Sequence, residues 1–282
     1  MENKMAIIKA SLVKELRDAT KVSMMECKKA LQEADGDIDE AMKILRERGM
    51  AVAAKKATRT ANQGLIASSS KDDGKTLSLV EVNCETDFVT RNETFTDFVK
   101  LVSDSALETD DDLGITLKAE LTAKIAEIGE NMKLKRNVRY TATGNNAIAP
   151  YIHLGGKVGV LVELSCEKAE TQDTPAFKQL IKDITLHVAA MAPKYLNSDS
   201  VDDAEIASER AIYTKQVEGK PENIIGRIVD GKMNKYFSEI CLVNQGFVKE
   251  PKQSITELLD ETGKTVGDTI AIVRYIRFQL GE

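Results

Sequence analysis

Two segments of this chain align without a gap, and that internal repeat restricts the fold more than any other feature. Shifting Gly74–Val102 by 82 positions lays it on Gly156–Ile184. Gly74, Lys75, Leu79, Val80, Glu81, Cys84, Glu85, Phe95 and Lys100 then meet the identical Gly156, Lys157, Leu161, Val162, Glu163, Cys166, Glu167, Phe177 and Lys182. Phe98, Val99 and Val102 meet Leu180, Ile181 and Ile184, so apolar faces apolar. Such self-similarity implies one supersecondary unit used twice. The copies part company at Thr86-Asp87-Phe88-Val89, which faces Lys168-Ala169-Glu170-Thr171. What both copies keep serves folding. An aromatic present in one loop and absent from its twin points to a task of that loop, although an aromatic placed just after a strand can also fold back into the core. Both readings of Phe88 stand at this point.

Around the repeat the pattern is α+β. Residues 11–49 read as three short helices. Ser23 and Glu26 have capping-box spacing at the start of the second, and Gly36 ends it. Asp37 caps the third, and Gly49 is expected to close it. This gives an N-terminal three-helix module over 1–50, followed by a linker over 51–63 whose start is compatible with helix. An N-terminal core subdomain then covers 64–144, and a C-terminal core subdomain covers 145–282. Thr76–Cys84 and Val158–Cys166 are apolar and β-rich, as buried strands are. Helical spacing is expected over Asn92–Leu107, Leu113–Ile128 and Ala176–Met191. Later strands are expected at Met132–Thr143, Ser238–Val243 and Thr269–Leu280, with Val138-Arg139-Tyr140 recurring as Val273-Arg274-Tyr275. An insertion over 200–236 reads as an antiparallel helical hairpin. In it Ile224, Ile225, Ile228, Val229 and Met233 oppose Val201, Ile206, Ile212 and Tyr213.

Composition narrows the function classes. With 30% charged residues and a net charge of −6, the chain is a poor coat for nucleic acid, because phosphate neutralisation needs concentrated Lys and Arg. Lys55, Lys56 and Arg59 are too few to change that. No apolar run reaches the roughly 18 residues of a membrane span. The first eight residues are too short and too acidic for a targeting peptide, so a cytoplasmic location is expected. Cys27, Cys84, Cys166 and Cys241 have neither zinc-site nor redox spacing and read as buried thiols. No metal site and no cofactor are expected. Gly155-Gly156-Lys157-Val158-Gly159 precedes a strand rather than a helix, which makes it a hairpin turn and not a phosphate loop. Glu81 and Glu85 recur in the second copy, which favours structural work over acid–base chemistry. A Cys84–His153 nucleophile pair stays open at this level, but no enzyme is expected. A scaffold that uses its helical module as an adaptor is the remaining rival.

Several motifs point together to one family. They are Ser11-Leu12-Val13-Lys14-Glu15-Leu16-Arg17, Met24-Met25-Glu26-Cys27-Lys28-Lys29-Ala30-Leu31, Glu81-Val82-Asn83-Cys84-Glu85-Thr86-Asp87-Phe88-Val89, Ile128-Gly129-Glu130-Asn131 and His187-Val188-Ala189-Ala190. Spread in order over nearly the whole length, they resemble the elongation factor Ts family, the guanine-nucleotide exchange factors of elongation factor Tu. The resemblance implies that the N-terminal module is of the ubiquitin-associated type and grips the GTPase domain of that partner through Met24, Met25 and Lys28. It implies that Thr86, Asp87, Phe88 and Val89 dislodge the partner's Mg²⁺ and so promote GDP release. It places further contacts at Ile128, Gly129 and His153, and it matches the hairpin to a coiled-coil motif. Two departures stand out. Many relatives carry a further helical module beyond the closing strand, and Gln is frequent where this chain has Glu85. A homodimer and a heterotetramer with the partner both remain open.

Overall fold

A computed structural model describes residues 8–20, 22–71 and 73–282. Helices α1 (Ala10–Thr20), α2 (Met24–Glu33) and α3 (Ile38–Lys56) form the N-terminal module. Residues 1–7 of the expected module lie outside the described residues. Ser23 Oγ accepts from Glu26 N at 3.3 Å, while the Glu26 carboxylate turns to Lys29 and Arg48. Asp37 Oδ1 caps α3 through Glu40 N, and Gly36 makes the preceding turn at φ +89°. Val13, Leu16, Cys27, Leu31, Ala41 and Leu45 make a small core between the three helices.

Gly49 does not end α3. It is buried in mid-helix, where a side-chain carbon would lie 3.5 Å from Ala126 Cβ, and the helix runs seven residues further, to Lys56. Ala53 packs on the core that follows. Docking of α3 on that neighbour outweighs the ~1 kcal/mol that glycine costs a helix. The first half of the expected linker is therefore helix.

The rest of the described chain is mixed helix and sheet. One three-stranded sheet has the order β1 (Gln63–Ser70), β2 (Thr76–Cys84), β3 (Met132–Thr141). Another has the order β4 (Ala147–His153), β5 (Val158–Cys166), β8 (Ile270–Gln279), and all four pairings in the two sheets are antiparallel. β2 is buried along its whole length because both of its faces are covered. Val80, Val82 and Cys84 point to α4 (Glu93–Ser105), α5 (Leu113–Thr116) and α6 (Lys118–Ile128). Leu77 and Leu79 point to the other sheet, where they join Ile148, Leu161 and Phe278. Val160, Val162 and Leu164 of β5 likewise face α7 (Pro175–Met191) and α10 (Ile255–Val266). The layers therefore run helix, sheet, sheet, helix. A side chain at Gly159 would collide with Ile66 and Leu79, which is why the partner position of Leu77 has none.

Charge is buried between the sheets. Glu81 receives Arg136 Nε at 2.7 Å, and Glu163 receives Arg274 Nε at 2.6 Å. Each guanidinium then crosses to the other sheet. Arg136 lies 4.2 Å from the centre of the Phe278 ring and donates to Gln279 O at 3.0 Å. Arg274 lies 3.9 Å from the Tyr140 ring and donates to Thr141 O at 3.4 Å.

These contacts correct the matching of the closing strands. Leu79 pairs with Val138 and Leu161 with Ile276, so the counterpart of Val138-Arg139-Tyr140 is Ile276-Arg277-Phe278, not Val273-Arg274-Tyr275.

Three further differences concern the second half. Ser238–Val243 is not a strand. It holds the end of α9 (Glu222–Ile240) and the start of a 3₁₀ turn, Leu242–Asn244. The short strands here are β6 (Gly246–Phe247) and β7 (Glu250–Ser254). Helix α8 (Asp203–Gln216) packs antiparallel on α9 through Val217, Val229, Met233, Ile206 and Tyr213, but Ile212 faces solvent. The Glu205 carboxylate, held down to about 2 by Lys194 and by the hydroxyls of Tyr236 and Tyr195, fastens the hairpin at its base.

His187 on α7 is fully buried. Its Nδ1 accepts from Val248 N at 3.1 Å, which places the ring proton on Nε2, 3.0 Å from Gln245 Oε1. Burial pushes its pKa below the ordinary value.

Two tests follow from this packing. Arg136→Met leaves the wholly buried Glu81 carboxylate without its main partner and is expected to cost about 3 kcal/mol in chemical denaturation. A loss under about 1 kcal/mol would show that the pair carries little. For His187, the unfolded chain takes up a proton as pH falls through about 6.5, and the native ring, its pKa lowered by burial, takes one up only at lower pH. Its contribution is therefore complete above that pH and is lost below it. As pH falls from about 6.5 the wild type should lose more stability than His187→Gln; equal slopes would contradict this assignment.

Candidate functional site

The loop that leaves β2 is set by its first residues. Cys84 is buried and its thiol donates to Thr86 O at 3.1 Å. The Glu130 carboxylate takes three donors: Glu85 N at 3.0 Å, Thr86 N at 2.9 Å and Thr86 Oγ1 at 2.6 Å. A carboxylate that accepts several donors makes strong, directional bonds. Beyond the clamp, Thr90 Oγ1 donates to Asp87 O, and Asn92 caps α4 through Thr94 N. Val89 turns inward and packs on the first core, at 9% exposure. Phe88, one residue earlier, is 82% exposed, the highest value of any large apolar side chain among the described residues. It does not fold back. Asp87 is exposed, and no described residue bonds to its carboxylate.

The twin loop is hung the same way. Cys166 Sγ lies 3.2 Å from Lys168 O and 3.0 Å from Asn145 O, which share its one proton, and Asp268 takes Glu167 N, Lys168 N and Thr171 Oγ1 at 3.1, 3.0 and 2.5 Å. The Thr171 hydroxyl, with the backbone amides of Lys168, Thr269 and Glu167, holds the Asp268 carboxyl down to about 2. Each clamp residue stands two positions before its closing strand, Glu130 before Met132 and Asp268 before Ile270. The twin presents Ala169 and Glu170 where the first loop presents Asp87 and Phe88.

Sequence reasoning quoted Glu130 and Asn131 only as part of a motif and missed what they do. The signal available was the matched position of two acids just before two related strands. Gly129 caps α6 in the left-handed conformation at φ +84°, and its carbonyl accepts from Lys56 Nζ. Asn131 N donates to Glu85 Oε1 at 2.6 Å, while its side chain donates to Arg59 O at 2.6 Å. Ile128 is half-buried against the first core.

The remaining candidates lie elsewhere on the surface. Met24 and Met25 are 45% and 63% exposed on α2, and Lys28 is exposed one turn on. His153 ends β4, exposed, with Nδ1 at 2.9 Å from the Tyr151 hydroxyl; the turn that follows joins β4 to β5. Cys84 and His153 do not form a nucleophile pair. Burial, aided by the Glu130 charge, pushes the Cys84 thiol up to about 12, and each group has another partner. Among the described residues, no three His, Cys, Asp or Glu side chains converge on a metal position, and no helix is long and apolar enough to cross a membrane.

Known proteins share this chain nearly end to end. A sequence model of the family described as Elongation factor TS matches residues 85–282. Elongation factor Ts of Nitratidesulfovibrio vulgaris is 42% identical over 98% of this chain and 96% of its own length. That of Desulfovibrio desulfuricans is 43% identical over 98% and 99%, and that of Clostridioides difficile 44% over 99% and 94%. The chain therefore belongs to the elongation factor Ts family.

Proposed function

We propose that the protein is the guanine-nucleotide exchange factor of elongation factor Tu and acts in the cytoplasm. It binds the GDP complex, disturbs the bound Mg²⁺ and speeds GDP release so that GTP can enter. The observation that carries this reading is Phe88, held 82% exposed on a clamped loop whose twin has no aromatic. An apolar side chain kept in water by three bonds to Glu130 has its partner outside the chain.

Magnitudes set the division of labour. Shifting a two-state population ten-thousandfold takes about 5.5 kcal/mol of differential binding. Burying one Phe supplies roughly 1.5–3 kcal/mol. Phe88 therefore needs an anchor and a second effect. Met24, Met25 and Lys28 on the N-terminal module, which we read as ubiquitin-associated in type, supply the grip, with Ile128, Gly129 and His153 as further contacts. Asp87 approaches the metal region. One carboxylate is a poor Mg²⁺ site by itself, but disturbing the ion's strict octahedral shell is enough to loosen it. By linkage, nucleotide weakens factor binding in the same ratio as the factor weakens nucleotide binding.

In this reading the two sheets with their helices are duplicated half-cores, 64–144 and 145–282, and the shared positions serve folding. The hairpin over 200–236 is the family's coiled-coil element.

The test is release of fluorescent GDP from elongation factor Tu over a range of factor concentrations. Phe88→Ala is expected to slow maximal release about tenfold or more, equivalent to ~1.4 kcal/mol or more, without moving the melting temperature. The pair Met24→Ala and Met25→Ala should instead raise the concentration for half-maximal release by about tenfold and leave the maximum unchanged. Full-rate release by the Phe88 variant would sink the wedge.

A further inference from the structure

The clamp under the loop has a role that packing alone does not require. Phe88 gains by leaving water, so an unrestrained loop would lay the ring against the protein's own apolar surface. Val89, packed on the first core, holds the far end of the loop, and one carboxylate opposes that collapse at the root. Glu130 holds the loop at its root through Glu85 N, Thr86 N and the Thr86 hydroxyl, immediately before the two exposed residues Asp87 and Phe88. Glu130 is itself fixed between the left-handed Gly129 and Asn131. Asn131 bonds to Glu85 on one side and to the carbonyl of Arg59, in the chain leaving α3, on the other. Arg59 closes the circuit on Glu85 at 3.5 Å.

We propose that Glu130 is a positioning residue for nucleotide exchange: its carboxylate holds loop 85–89 in the form in which Phe88 stands out ready to enter the partner. The inference rests on the exchange reading above and deepens it. A loop already ordered in its bound form loses less freedom on engagement, so the restraint acts on the step in which the wedge enters rather than on the first encounter. The other end of the molecule supplies an internal control. Asp268 makes an equivalent set of three bonds to a loop with no aromatic. Removing that clamp has the same local chemistry and no wedge to misplace.

The experiment compares Glu130→Gln with Asp268→Asn in the full chain, using fluorescent GDP on elongation factor Tu, with melting followed in parallel. The amide keeps the side chain's size but removes the negative charge, which weakens these bonds even where its oxygen still meets the Glu85 and Thr86 amides. Glu130→Gln is expected to lower maximal release about tenfold with the half-saturating concentration unchanged, and to lose hydrogen-exchange protection at the Glu85 and Thr86 amides. Asp268→Asn should melt lower by a similar amount and release GDP at the parent rate. Glu130→Asp, the acid the twin uses, should recover most of the rate. In a Phe88→Ala background, Glu130→Gln should add nothing, since both act through the same ring. Parent-rate release by Glu130→Gln overturns the proposal, as does equal slowing by Asp268→Asn or a multiplying effect in the double variant. If the unaltered protein itself fails to speed release, the exchange reading fails and takes this inference with it. Parent activity that survives Glu130→Gln removes the clamp's role alone.

Discussion

Two buried carboxylates hold the centre of this molecule. Glu81 and Glu163 sit between the sheets at 1% and 2% exposure, where an unpaired charge is costly. Each is answered by an arginine of its own closing strand, and each arginine reaches across to an aromatic ring and a carbonyl of the other sheet. Guanidinium is suited to this, because it pairs with a carboxylate at its edge and stacks on a ring with its face. The register of β2 with β3, and of β5 with β8, follows from it: a slip of one residue would turn the glutamate toward the helix layer and strand its arginine. Apolar contact among Leu79, Leu161, Tyr140 and Phe278 supplies area, and the ion pairs supply the specific alignment.

That alignment has a functional consequence. With β2 and β5 covered on both faces, each sheet leads its chain out through a loop held by an acid two residues before the closing strand. The two exits are built alike down to the cysteine thiol that bonds the loop carbonyl. In the exchange function proposed above, the difference lies in what the loops carry. One carries Asp87 and Phe88, and the other Ala169 and Glu170. The fold bears the cost of an exposed aromatic because the clamp, not the ring, stabilises the loop.

Much of this was legible in the residues. The gapless repeat located both central strands, both covering helices and the one loop that differs, since shared burial keeps apolar positions in step. The hairpin and the caps at Ser23 and Asp37 were legible for the same local reasons. The errors each have a tertiary cause. Gly49 reads as a stop but is the point where α3 meets Ala126. Ser238–Val243 reads as a strand, because its short apolar run has no period that separates it from a buried helix end. β1 and β4 were missed because Ser68-Ser69-Ser70 and Pro150 dilute the strand signal; both are edge strands, where such residues are tolerated. The recurrence of Val-Arg-Tyr out of register hid the match of Arg136 with Arg274; each closing strand has its bulge at the same place, so the true match is in step throughout. The clamp of Glu130 was out of reach, since its partners lie more than forty positions away.

The most direct test exchanges the loops. Thr86→Lys, Asp87→Ala, Phe88→Glu and Val89→Thr together give the first loop the sequence of its twin; the Thr86 hydroxyl is lost from the Glu130 clamp, and position 89 gains the hydroxyl that Thr171 supplies to Asp268 in the twin. The account predicts a protein that melts as the parent does, still binds elongation factor Tu, and no longer speeds GDP release. A grafted protein that releases GDP at the parent rate would contradict the claim that exchange resides in these four residues.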